Sequence, residues 1–122
     1  MTKWQVHKVV KQNGKAPFDK WYGGLTVEDQ ANVDDALYLI ESVTQIPPDK
    51  VKKYNDLYEI KIYGNKTALR PLALKVGKDK LIVLLVGETK KGKIPISTYK
   101  AALKLAKFYN EGDLDDKHWQ ED

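Results

Sequence analysis

Residues 81–95 read LIVLLVGETKKGKIP. Six apolar residues in a row, Leu81 to Val86, three of them β-branched, predict a short strand buried on both faces. Gly87 is expected to end it, and Lys90, Lys91 and Lys93 follow within four residues. Ile94-Pro95 then opens a helical pattern, with proline near the first helical position. The most apolar strand of the chain thus delivers a group of ammonium charges to its own C-terminal end, an arrangement suited to an anion.

Upstream of this stretch, residues 57–63 (LYEIKIY) and 67–76 (TALRPLALKV) read as two more strands. They are separated by the turn signal Gly64-Asn65, and Gly77 to Lys80 is the turn before Leu81. Strands joined by short turns run antiparallel, so the three form a meander. In the first, Tyr58, Ile60 and Ile62 alternate with Glu59 and Lys61, which places the two charges on the polar face. Nearer the N-terminus, residues 3–11 (KWQVHKVVK) predict a first strand closed by Asn13-Gly14. Phe18, Trp21, Tyr22 and Leu25 fall at helical spacing after Pro17. Thr26 is a good N-cap for a second helix, which buries Val33, Ala36, Leu37, Ile40 and Val43, turns Asp34, Asp35 and Glu41 outward, and ends before Pro47-Pro48. The last helix spans about 97–110, with Tyr99, Ala102, Leu103, Ala106 and Tyr109 as its apolar stripe. The order β-α-α-β-β-β-α predicts an α+β domain over residues 1–111, with helices packed on one antiparallel sheet. Residues 112–122 are expected to be an acidic, mobile tail outside it.

The chain has 122 residues and a net charge of +4, which allows one domain with a real core. Residues 111–122 carry six acids and one lysine. Between Lys61 and Lys107, by contrast, there are 12 basic residues and only Asp79 and Glu88 opposing them. A basic body of this kind suits a polyanionic partner, and equally an ordinary lysine-rich surface. With no cysteine, disulfides and thiolate metal sites are excluded. His7 and His118 stand far apart in sequence, which argues against a histidine metal cluster or a ribonuclease histidine pair. No membrane span or apolar signal-peptide centre is present, so a soluble, cytoplasmic protein beginning at residue 1 is expected.

Arg70 is the only arginine, and it sits inside an apolar strand. Its planar fork suits a phosphate, and burying it unpaired is costly. A structural ion pair with Glu59 or Glu88 is the alternative. Lys61 is either a partner for the same phosphate or a solvated lysine. Lys90, Lys91 and Lys93 are either part of that site or a charged loop. The strand hairpins are what bring these residues toward one patch. No nucleotide-binding glycine loop and no serine nucleophile elbow occur. Adjacent carboxylates such as Asp34-Asp35 do not face each other on a helix and read as solvated charge.

LYEIKI, ALR, KLIVLLVGETKKGKIP and TYKAALKLAKFY, with PFDKWYGGL upstream, together resemble the RelE/ParE superfamily of toxin–antitoxin toxins, nearest to its phage-derived HigB-like branch. The resemblance covers roughly residues 4–110. It implies a RelE-like, microbial-RNase fold and an endoribonuclease that needs neither metal nor cofactor and cuts mRNA on the ribosome. A cognate antitoxin protein would inhibit it. By position, Lys61 matches the basic residue that activates the 2′-OH, and Arg70 the one that holds the scissile phosphate. Lys90 or Lys91 matches the residue that stabilises or protonates the leaving group, and Tyr99 the tyrosine that opens the last helix. Lys93, Lys100, Lys104 and Lys107 would bind RNA backbone. In-line attack creates a phosphorane whose extra charge fixed cations stabilise.

Two residues depart from the pattern. Pro71 follows Arg70 inside a strand and removes a hydrogen-bond donor, which requires a bulge or an edge. Glu59 stands where some active members are basic. The alternatives are a ParE-like toxin acting on gyrase, which retention of Lys61, Arg70 and Tyr99 argues against, and a degenerate RNA- or protein-binding module. For the tail, one expectation is that Trp119 anchors it across the basic patch in imitation of an acidic antitoxin segment.

Overall fold

The computed structural model describes residues 2–64 and 66–122. The Gly64-Asn65 turn includes Asn65, which lies outside the described residues. Seven strands form one sheet: β1 (Gln5–Val10), β2 (Val51–Tyr54), β3 (Leu57–Ile60), β4 (Ile62–Tyr63), β5 (Ala68–Val76), β6 (Leu81–Thr89) and β7 (Asp115–His118). Helices α1 (Pro17–Gly23) and α2 (Val27–Glu41) follow β1, and α3 (Ile96–Asn110) follows β6. The strands lie in the order β2-β3-β5-β6-β1-β7, with β4 also pairing β5.

The architecture is α+β, but one feature corrects the expected antiparallel sheet. β1 runs parallel to β6 in the register Gln5↔Leu81 to Lys8↔Leu84, while β3, β5 and β6 pair antiparallel as expected. The two-helix crossover between β1 and the meander makes that parallel pairing possible, since a short turn cannot. Helices cover both faces. α1 and α2 pack with Val6, Ile60, Leu69, Ile82 and Leu84. α3 packs with Leu72, Val83 and Leu85 on the opposite side.

β6 is the centre of both layers. Ile82, Val83, Leu84 and Leu85 are each fully buried, which is worth about 1.5–3 kcal/mol per side chain. The apolar run therefore forms the doubly covered strand that its sequence predicts, extended by two residues to Thr89. At Gly87 the strand has no room for a side chain, because an added Cβ would meet the Trp21 ring at 1.9 Å. The Trp21 Nε1–H donates to Thr89 Oγ1 at 2.9 Å, which fixes the indole there.

The helix starts follow local chemistry. Pro17 opens α1, and Thr26 Oγ1 accepts the Asp29 N–H at 3.1 Å, a cap worth about 1 kcal/mol. Pro71 lies in β5 where its neighbour is interrupted between β3 and β4, and the β5–β6 register shifts just beyond it, leaving Leu85 of β6 as the extra residue. β2 goes unread in the sequence; its hairpin to β3 turns on Asn55, whose φ is 53°.

The C-terminal segment is corrected as well. Asp115–His118 form an edge strand on β1, antiparallel, in the register His7↔His118 to Val10↔Asp115. Trp119 is buried with α2, and its ring meets Tyr38 edge-on at 5.3 Å. The indole anchors the segment at that end of the sheet rather than across the Arg70 patch. Side chains that a hydrophobic pattern does not register hold the strand in place. Asp116 accepts from Tyr109 and meets His7 Nδ1, each at 2.5 Å. No helix among the described residues is long and apolar enough to cross a membrane.

Candidate functional site

Arg70 projects from β5 on the α3 face, between Glu59 of β3 and Glu88 of β6. The pairs Glu59↔Leu72 and Arg70↔Glu88 set this arrangement. Of the two possible mates, Glu59 takes the guanidinium. Arg70 Nε donates to Oε2 at 2.7 Å and Nη2 donates to Oε1 at 3.0 Å. Glu88 accepts instead from the Thr98 hydroxyl at 2.7 Å and from the Thr89 N–H at 3.1 Å. The bonds to Glu59 hold the Arg70 pKa above the ordinary arginine value, against the opposing effect of partial burial.

The third nitrogen of the fork holds the lysine loop. Arg70 Nη1 donates to the carbonyl oxygens of Lys90, at 3.3 Å, and of Gly92. Gly92 has φ near +82°, a conformation glycine adopts without strain. Arg70 is thus a strut: one side clamps the carboxylate, and the other fastens the backbone of the loop whose lysines stand exposed above it. Tyr99, in the first turn of α3, is half-buried on the same face, its ring edge-on to Tyr54 at 5.5 Å. The expected packing role of Tyr99 in the apolar stripe is therefore present.

The structure brings Arg70 and the backbone of the 90–93 loop together, with Tyr99 on the same face of the sheet, packed on Tyr54. Lys61 falls at the break between β3 and β4. One register runs through Glu59↔Leu72 and Ile62↔Leu69, which sets Lys61 across from Arg70. Its N–H bonds the Lys50 carbonyl, and the residue borders a hollow of about 250 Å³ with Asn32, Asp35 and Leu39 of α2. Lys100, Lys104 and Lys107 are exposed on α3.

Glu59, read from the sequence as a polar-face residue and a possible mate of Arg70, is that mate and is buried, with 4 % of its surface exposed. Alternation along β3 is legible, but the depth at which Arg70 holds the Glu59 carboxylate is not. The two histidines, far apart in sequence, also meet. His7 and His118 oppose each other across β1 and β7, their ring centroids 6.3 Å apart. His118 Nδ1 accepts the Gln120 N–H, so the proton lies on Nε2, facing Glu41 at 2.9 Å. Glu41 is correspondingly not an outward charge: it also accepts from the Val6 N–H and the Trp119 indole. Together with Asp116, these groups tie β7 to the sheet. Among the described residues no group of three or more histidine, aspartate and glutamate side chains is arranged to hold a metal ion.

Comparison with protein-family profiles, curated proteins and solved structures finds no match.

Proposed function

We propose that the chain is a toxin of the RelE/ParE type: a cytoplasmic, ribosome-dependent mRNA endoribonuclease that a cognate antitoxin inhibits. The observation that carries this reading is the bond of Arg70 to the carbonyls of Lys90 and Gly92. It fastens a guanidinium beneath a loop bearing Lys90, Lys91 and Lys93, beside Tyr99. RNA phosphate would meet the exposed ammonium groups first. In the reaction, the 2′-oxygen attacks phosphorus while Lys61 takes the hydroxyl proton. The bond to the 5′-oxygen breaks, and Lys90 or Lys91 supplies the proton that oxygen needs. The products are a cyclic phosphate and a 5′-hydroxyl. The test is expression of the wild type and Arg70→Ala with primer extension on cellular mRNA. The wild type is expected to arrest growth and produce cuts, and folded Arg70→Ala neither. Undiminished cutting by Arg70→Ala overturns the proposal.

A second reading, a binding module without cleavage, is favoured by one specific feature. Glu59 already neutralises Arg70 through two hydrogen bonds, so a scissile phosphate has to displace a buried carboxylate. Growth arrest without mRNA cuts supports this reading.

A further inference from the structure

We infer that the outer side of α3 is a docking groove for an acidic amphipathic helix of a partner protein. A hollow of about 770 Å³ runs between α3 and the β1–α1 loop, bordered by Pro17, Val86, Ala101, Leu105, Phe108 and Leu114. Ala101, Leu105 and Phe108 recur at i, i+4 and i+7, so they form one ridge along the helix, exposed at Ala101 and Phe108 and buried at Leu105 between them. Phe108 is a large apolar side chain left 36 % exposed on this ridge. Past Val86 and Pro17, the hollow continues into a second one of about 630 Å³, beside Trp21 and Leu25. A continuous apolar trough of this size is what a partner side chain needs.

Charge selects the occupant. Lys100, Lys104 and Lys107 repeat the same i, i+4, i+7 spacing one residue earlier, and all three are exposed. They therefore form a basic ridge directly beside the apolar one. The Lys104 ammonium lies 6.0 Å from the Phe108 ring centroid, so the two ridges touch. Lys11 borders both hollows, Lys15 and Lys20 border the second, and Asp113 is the one carboxylate on either border. An amphipathic helix laid along α3 meets apolar groups with one stripe and ammonium groups with the next. Its flanking stripe must then be acidic. Mixed apolar and basic ridges suit such a helix better than RNA, whose backbone has no apolar stripe to bury. The inference does not rest on the nuclease reading, whose reacting groups lie at the other end of α3, although that reading gives the same three lysines to RNA backbone.

The experiment uses the full chain and a labelled synthetic helix of about 18 residues, with leucines on one stripe and glutamates elsewhere. A lysine-for-glutamate analogue and a single-stranded RNA oligonucleotide serve as comparisons, and anisotropy is the readout. The acidic helix is expected to bind at least about tenfold more tightly than the lysine analogue. Phe108→Ala and Lys104→Glu are each expected to weaken it by about tenfold or more, with circular dichroism showing both variants folded. Binding of the two helices with equal affinity overturns the inference, as does indifference to Phe108→Ala. So does RNA binding that depends on Phe108 in the absence of helix binding, or self-association that Phe108→Ala abolishes. Cleavage of mRNA is scored separately, so failure of either reading leaves the other standing.

Discussion

Glu59 and Arg70 face each other across β3 and β5 with both carboxylate oxygens engaged, at 2.7 and 3.0 Å. Their side chains are 6 % and 13 % exposed, so the pair is largely desolvated. Removing one partner of such a pair leaves a buried charge uncompensated, whereas removing both need cost little. Glu59→Gln is expected to lower stability by about 3 kcal/mol, and Glu59→Leu/Arg70→Met to recover most of that. Urea denaturation of the two variants and the wild type checks this. A double variant no more stable than the single one would show that the ion pair is not the source of the loss.

The same substitution separates the two functional readings. With Glu59→Gln the guanidinium keeps its loop contacts but loses its neutralising carboxylate. RNA affinity at low salt is expected to rise, with a steeper salt dependence. Equal affinity of Glu59→Gln and wild type, measured by filter binding, would mean that Arg70 serves the fold alone.

Gly87 and Trp21 are a steric pair. A methyl group at Gly87 has no space under the indole, so Gly87→Ala must displace the ring and break its bond to Thr89. Overpacking of this kind costs about 1–3 kcal/mol. Trp21→Ala is expected to be destabilising by itself but to make Gly87→Ala nearly neutral. A double-mutant cycle measures that coupling. Additive losses would place the cost elsewhere.

These contacts show which parts of the molecule its sequence declares. Leu81 to Val86 announces a strand covered on both sides, because every residue is apolar and there is no polar alternate. Thr26 and Pro17 announce helix starts, because capping is local. By contrast, the parallel partnership of β1 and β6 spans the length of two helices and leaves no local mark. β7 reads as acidic tail because its stability comes from distant side chains, Tyr109, His7 and Glu41, and not from an apolar period. Glu59 reads as a polar-face residue and a possible mate of Arg70, because alternation tells which residues share a face, but not how deeply that face is buried. The candidate site was legible as a set of residues, and an ion pair of Arg70 with Glu59 or Glu88 as one of its two readings; which carboxylate pairs, and that the fork also holds the loop backbone, were not.

β7 supplies a direct test of that last kind of information. Trp119 carries the strand's apolar anchorage, 5 % exposed, and its Nε1–H donates to Glu41 at 3.0 Å. Trp119→Ala is expected to cost about 3–5 kcal/mol and to release the β1–β7 pairing. In hydrogen exchange, the amides of residues 115–118 should lose protection while those of β6 keep theirs. Unchanged exchange at 115–118 would mean that the histidine–carboxylate contacts suffice to hold the strand.

The last prediction concerns alkaline pH. Tyr22 donates its hydroxyl to Asp34 Oδ1 at 2.8 Å. Burial first, and this carboxylate second, push its pKa up from 10 to about 12. Tyr109 is raised in the same direction by burial and by Asp116. For both, the folded chain holds the proton more tightly than the unfolded chain does. Their contribution to stability is therefore complete below about pH 10, where both states are protonated. Above that value the unfolded chain releases the proton first, and stability falls as pH rises through the folded pKa. The denaturation midpoint of the wild type should decline from pH 10 to 12, and Tyr22→Phe should flatten part of that decline while lowering the midpoint at neutral pH. Tyrosinate absorbance of the folded chain should show the Tyr22 step near pH 12, absent in Tyr22→Phe. A step at the ordinary tyrosine value would show that Asp34 and burial do not hold the proton.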